Sequence, residues 1–250
     1  MRIVSDTKAI KRNQTIARWT LFSGVAVLVL ALVANLYVAV PLLSSGASSQ
    51  AELTPQQNQL TLFSFVGLLV GYTLTTISTS INARFGRRPD QALQGALRGS
   101  NDSYTLYNYV LGASHVVAAP SGLYVLVPKY QSGVILVDEK GKWKHARQSG
   151  LSRFLFRQDA LGNPTLDARL EVEALQRHLK KHHPEVDLEP QPIVVFMSPR
   201  AVLDIAQSPV PAVPVKKLKD YIRKQPKRGG VSAEVASRLA GERATEDTHD

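Results

Sequence analysis

Ser114-His115-Val116-Val117-Ala118-Ala119-Pro120-Ser121-Gly122-Leu123-Tyr124-Val125-Leu126-Val127 decides how the later part of the chain is read. His115 to Ala119 has the composition of a strand. Pro120-Ser121-Gly122 is turn chemistry. Leu123 to Val127 is apolar without interruption, the pattern of a strand covered on both faces rather than one wetted on alternate residues. Lys129 and Tyr130 end that strand, Gln131-Ser132-Gly133 turns the chain again, and Val134 to Val137 is a third strand. A sheet covered on both faces needs helices, and the flanking sequence offers them.

Upstream, Phe85 to Gln94 reads as a linker leading into a helix that Pro89 starts, and Asn101 to Leu111 as a second helix. Ser100 or Asn101 would cap the latter, with Leu106, Tyr109 and Val110 on its apolar face. Downstream, Asp138 to Asn163 is polar and basic, anchored by Trp143 and Phe154-Leu155-Phe156. Asn163-Pro164 then opens a helix with Leu166, Leu170, Ala174, Leu175 and Leu179 on one side. Arg169, Glu173 and Arg177 lie opposite at i,i+4 spacing. Pro192 leads into the strand Ile193 to Met197. Helix, three strands, helix, strand predicts an α/β domain over 95–208 with a central mixed sheet flanked by helices. Over 209–250, a Pro-rich connector (Pro209 to Pro214) precedes a basic helix, Lys216 to Lys224, with Leu218 and Ile222 inward, and a further short helix from Ser232 to Arg243.

The first third reads differently. Trp19 to Leu43 and Leu60 to Ile81 contain no charged residue. Each reaches the ~20 residues needed to cross a hydrocarbon core, and the first exceeds the ~7–15 apolar residues of a cleaved signal peptide. The expected order is a cytoplasmic segment over 1–18, a first transmembrane helix over 19–43, an external loop over 44–59, a second transmembrane helix over 60–81 and a linker over 82–94. The Ser and Thr residues of 73–80 would back-bond to their own helix or face a neighbour. Gly67 and Gly71 form a small-xxx-small pair that permits close packing. Arg2, Lys8, Lys11, Arg12 and Arg18 precede the first run and Arg84, Arg87 and Arg88 follow the second, whereas 44–59 has neither Lys nor Arg. The positive-inside rule therefore puts both termini in the cytoplasm of a two-span protein of the cell membrane.

No cysteine is present, which excludes disulfides, thiolate metal sites and a cysteine nucleophile. The formal net charge is +10, compatible with nucleic acid, an anionic membrane surface or an acidic partner, although basic residues beside membrane spans serve topology first. Gly-x-Gly-x-x-Gly, P-loop and Gly-x-Ser-x-Gly signatures are absent.

Four stretches carry a resemblance to the nuclease-related domain family, a branch of the restriction-endonuclease-like PD-(D/E)xK fold. They are Ser114 to Leu126, Gly162-Asn163-Pro164, Pro192 to Met197, and Pro214-Val215-Lys216-Lys217-Leu218. The resemblance implies a first strand opening with Asp-His and a second ending in Glu-x-Lys, the carboxylates holding Mg²⁺ and the metal activating a water. In this chain the Asp position is Ser114, followed by His115. The Glu position is Val127, and Lys129 alone remains of the triad. A family glutamine corresponds to Asp167, and Asp102 stands near a family glutamate. The resemblance thus implies a degenerate member without nuclease chemistry, and no metal or cofactor is expected.

Three weaker features complete the reading. Asp138-Glu139-Lys140 has a carboxylate-x-Lys spacing that would stand in for the lost motif, against its reading as a polar turn. His178 and His182 have metal-compatible i,i+4 spacing, against helix-end polarity beside Lys180 and Lys181. Lys216, Lys217, Lys219, Arg223, Lys224, Lys227 and Arg228 form a basic contact surface, with lipid or solvent favoured over nucleic acid. The function expected is that of a membrane-anchored, catalytically inactive interaction module, or an accessory subunit of a membrane complex, with the bilayer and a protein as partners. The alternative is a membrane-tethered Mg²⁺-dependent nuclease or nucleic-acid-binding protein.

Overall fold

The computed structural model describes residues 1–44, 54–86, 88–146, 161–186, 188–205 and 208–226, together with 235 and 239. Residues 45–53 of the loop expected over 44–59, the Phe154 to Phe156 anchor, Lys227, Arg228 and most of the helix expected from Ser232 lie outside the described residues. The chain forms two compact units, Met1–Asp6 with Pro89–Asp250, and Thr7–Arg88.

The second unit is a pair of antiparallel helices, α1 (Thr7–Ser44) and α2 (Pro55–Phe85). Thr54 caps α2 with its side chain on the Gln57 amide, Gln57 reaches back to the Thr54 amide, and Pro55 follows. Both helices are long and apolar enough to cross a membrane. Their buried residues recur every seventh position. On α1 these are Ile10, Ala17, Gly24, Ala31 and Val38, and on α2 they are Ser64, Gly71 and Ser78. A seven-residue period keeps one seam facing the partner when two helices supercoil left-handedly. Between Ile10 and Val38 at its ends, the seam is made of small residues. A Cβ on Gly71 would lie 2.6 Å from Leu28 Cγ, and one on Gly24 would lie 2.9 Å from Thr75 Cγ2. The hydroxyls divide as expected. Thr73, Thr76, Thr79 and Ser80 bond to carbonyls of their own helix. Ser78 donates across to the Ala17 carbonyl (2.6 Å), and Ser64 accepts from Asn35 (3.1 Å).

The first unit is α/β, with a mixed six-stranded sheet flanked by helices. Its strands are β1 (Arg2–Ser5), β2 (Thr105–Asn108), β3 (His115–Ala119), β4 (Gly122–Lys129), β7 (Gln191–Phe196) and β9 (Ala212–Pro214), in that spatial order. β1 and β2 run parallel, β2, β3 and β4 antiparallel to one another, and β4, β7 and β9 parallel. The β4-to-β7 crossover contains helix α4 (Pro164–His182), as a parallel connection requires. α4 covers one face, where Leu175 and Leu179 meet Tyr107, Val116, Ala118, Leu123 and Val125. Helices α3 (Pro89–Leu97) and α5 (Leu218–Lys224) cover the other, where Leu93, Leu97, Leu218 and Ile222 meet Val117, Tyr124, Leu126 and Ile193. Successive residues of β4 thus enter opposite cores, which is why its sequence is apolar without alternation.

Several expectations are corrected. The second helix expected over Asn101 to Leu111 is absent, because Thr105–Asn108 form β2. Leu106 and Tyr107 enter opposite cores, and Tyr109 and Gly112 have positive φ, which a helix excludes. Residues 1–18, read as one segment, divide between β1 and the start of α1. The strand at Val134 does not join the central sheet. As β5 (Gly133–Val137) it is the middle of a second, three-stranded sheet with β6 (Trp143–Ala146) and β8 (Ala201–Asp204). The Pro-rich connector contributes β9, whose Pro214 suits an edge strand. On α4, Leu166 and Leu170 are exposed and Ala168, Leu175 and Leu179 are buried, so the inward face is rotated from the one expected.

Candidate functional site

β3 and β4 pair with Val116 opposite Val125. Carried on by two residues, that register sets Ser114 across from Val127, the two positions where the family pattern has carboxylates. Val127 and Lys129, two apart on β4, point to the α4 side of the sheet. Val127 is buried there among Ile135, Leu161, Ala168, Val194 and Phe196. It offers no metal ligand, and its surroundings are hydrocarbon.

Helix α4 supplies the polar side chains that meet this row. Asn163 caps it, accepting from the Leu166 amide, with Pro164 in the first turn and Asp167 close behind. The Lys129 ammonium donates to Asp167 Oδ2 (2.5 Å) and to the Leu161 carbonyl (3.1 Å). The Lys129 side chain is only 14% exposed, so its charge is removed from most of its water and held by a carboxylate instead. One turn later, Glu171 receives both donors of Ser114, the backbone N–H at 2.6 Å and the hydroxyl at 2.8 Å. Asp167 and Glu171 are i,i+4 on one face of α4, one serving Lys129 and the other Ser114.

The carboxylates of this region therefore come from the helix and not from the strands. The sequence reading noted Asp167 as a substituted family position and missed Glu171. The available signal was the stripe Ala168, Val172, Leu175 and Leu179, beside which Asp167 and Glu171 face the sheet. The apparent line through Leu166 and Leu170 hid it. A Mg²⁺ centre needs several hard oxygen donors converging on one point. Here two carboxylates are engaged by an ammonium and by a serine, and valine fills the third corner, so the donor set does not fit that metal. Among the described residues no group of three His, Asp or Glu side chains gathers as a metal site.

His115 opens β3 directly after Ser114, so its side chain falls on the opposite face of the sheet. Its Nδ1 meets Asn108 Oδ1 at 2.8 Å, and Tyr109 packs edge-on at 4.9 Å. Asp102 stands in the turn before β2, away from the Ser114 row in the fold. Asp138, the substitute considered for the lost motif, sits in the β5–β6 turn. Its carboxylate accepts the backbone N–H groups of Lys142 and Lys140 and pairs with Lys144. The Lys142 amide is the main reason its carboxyl is held below the usual range. Asp138 is thus turn chemistry, and the carboxylate-x-Lys spacing there is coincidental. His178 and His182 stack at 4.6 Å, with His183 at 6.3 Å from His178.

On α5, Leu218 and Ile222 face inward as expected. Lys216, Lys217, Arg223 and Lys224 are exposed, Lys219 donates to the Arg98 carbonyl, and Arg223 pairs with Asp220.

Residues 86–197 match the family model of the nuclease-related domain. That span runs from the end of α2 to the end of β7 and includes β3, β4 and α4. β8, β9 and α5, with the Pro214 to Leu218 stretch, follow it. No curated protein and no solved structure matches the chain. Ser114, Val127 and Lys129 all lie inside that span, and the chain carries a nuclease-related domain over residues 86–197.

Proposed function

We propose that this protein is a two-span membrane protein whose nuclease-related domain has exchanged metal chemistry for a fixed internal scaffold. It acts in the cytoplasm as a protein-interaction module or accessory subunit of a membrane complex. The observation that carries this reading is the double closure of the degenerate row by α4, Lys129 on Asp167 and Ser114 on Glu171. Charged and polar groups in that row satisfy one another, so a cation entering it would have to break an ion pair first. The membrane half rests on the hairpin. Only 17% and 11% of the most apolar windows of α1 and α2 are buried, whereas the core helix of a water-soluble protein would bury most of such a stretch. The basic residues at the outer ends of the helices orient both termini to the cytoplasm.

The test is Mg²⁺ and Mn²⁺ titration of the full chain in detergent, by calorimetry and melting temperature, beside a cleavage assay on DNA. Absence of heat, of a thermal shift and of metal-dependent cleavage is expected. Saturable binding lost on Asp167→Ala or Glu171→Ala would overturn the inactive reading. The second reading, nucleic-acid binding, is favoured by the exposed basic residues just before and on α5. It requires DNA affinity that falls steeply with salt and weakens on substitution of Lys216, Lys217 and Lys224.

A further inference from the structure

The strand that closes one edge of the sheet, β1, comes from before α1, while every other strand of the sheet follows α2. β1 pairs with β2 over four residues, from Arg2 opposite Thr105 to Ser5 opposite Asn108. The Arg2 amide donates to the Tyr104 carbonyl (2.9 Å) and the Asp6 amide to the Asn108 carbonyl (3.0 Å), so the ladder is held at both ends. Val4 packs against the core that contains Tyr107 and Leu175. At the end where the chain leaves for α1, three polar side chains on neighbouring strands join in a row. Asn108 donates to Ser5 Oγ at 2.9 Å, and its carbonyl oxygen lies 2.8 Å from His115 Nδ1. His115 and Asn108 are both buried, where such a row is worth more than at the surface. Asp6, itself bonded to β2, is the single residue between β1 and the first turn of α1.

We infer that β1 is a latch that couples the first span to the domain, and that Asn108 and His115 are positioning residues for it, clipping Ser5 in place. The histidine of the family's Asp-His pair then serves a structural coupling and not a reaction. Because β1 is an edge strand and the strand of this sheet that runs directly into α1, it is the segment of the sheet that a shift of α1 along its axis reaches first. The coupling to α1 rests on the membrane reading above; the clip does not.

The test is amide hydrogen exchange of the full chain. In detergent micelles, Ser5→Ala raises exchange across Arg2–Ser5 and Thr105–Asn108 by about tenfold, the order of one net hydrogen bond. Ser5→Thr, which keeps the hydroxyl, restores protection, and β4 and β7 do not change. Val4→Asp opens the same two strands further. Unchanged exchange in Ser5→Ala, or loss of protection throughout the sheet, overturns the latch. In bilayers of increasing acyl-chain length, which shift and tilt membrane helices, β1 protection varies in the native chain. It is constant in a variant with Gly-Ser-Gly inserted after Asp6. Independence from thickness in the native chain overturns the coupling. Failure of the chain to enter bilayers overturns the membrane reading and leaves the micelle result to decide the clip.

Discussion

The helical hairpin and the α/β domain use opposite rules for the same residue types. In the domain, Tyr107, Tyr124 and Phe196 are shut away from solvent, and they build the cores. In the hairpin, Tyr37, Phe63 and Leu69 are mostly exposed, and between Ile10 and Val38 the seam is glycine, alanine and serine. Both units are internally well packed. What differs is the solvent each surface suits. In water, removing apolar area drives packing. Among lipid tails that drive vanishes, so helices associate through close backbone approach and interhelical hydrogen bonds. The bonds from Ser78 to Ala17 and from Asn35 to Ser64 are the second kind of contact. The Leu175–Tyr107–Val125 cluster is the first.

This contrast breaks most visibly with aromatic truncation. Phe196→Ala, inside the domain, is expected to cost ~3–5 kcal/mol of domain stability. Phe63→Ala, on the outside of α2, should stay within about 0.5 kcal/mol. Denaturant titration of the full chain in micelles checks both, and equal losses would mean the hairpin packs like a water-soluble core. Next in size, Asp167→Ala leaves the mostly buried Lys129 without its carboxylate. A loss of ~1–3 kcal/mol is expected, less than for a fully buried pair because Asp167 is partly exposed. The double variant Asp167→Ala with Lys129→Met should recover much of it. Gly71→Leu forces a side chain against Leu28 and the Gly24 carbonyl. It should loosen the hairpin by ~1–3 kcal/mol, visible as a longer distance between spin labels at the exposed positions 22 and 72, with the domain melting unchanged.

The smallest effects concern pH and fall on the domain alone. Burial pushes the Tyr107 hydroxyl up to about 12 from 10.0. A raised pKa means the folded state resists ionisation. The associated stability is complete below pH 10 and is lost as pH rises through about 12. Tyr107→Phe should flatten that alkaline decline in a denaturation series. Asp138 has the opposite sign. Its carboxyl is held low chiefly by the Lys142 amide, so its contribution is present above the ordinary carboxylate range and disappears as pH falls through its folded-state value. Asp138→Asn should change only the acid limb, and only slightly for so exposed a group.

The elements readable from sequence were those whose pattern is continuous and local. The two uncharged runs, the helix that Asn163-Pro164 starts, and the strands around Pro120-Ser121-Gly122 and after Pro192 fall where they were expected. β2 was misread because Thr105–Asn108 takes its conformation from strands on either side, and one of these comes from the far end of the hairpin. β1 had no legible signal, since four residues before a charged helix carry no periodicity. At the candidate site, Ser114, Val127 and Lys129 were legible as departures from a family pattern. Glu171 was not, because its partner is a residue 57 positions away. The seven-residue spacing of the seam was in plain view, but Gly67 and Gly71 drew the eye to a four-residue spacing instead. Gly67 lies against Ala31 beside the seam, and Gly71 is on it.

The placement of β1 also sets an order of events during synthesis. Ser5 and Asn108 are 103 residues apart in the chain. On a growing polypeptide β1 is made before both long helices and has no β2 to pair with until they and the turn after α3 have followed. Closing so distant a contact is entropically slow for a free chain. A hairpin already formed brings its two ends together and shortens the effective loop. Completion of the sheet therefore reports that α1 and α2 have come together correctly, and a chain whose hairpin failed would keep an uncovered sheet edge at β2 for quality control to find.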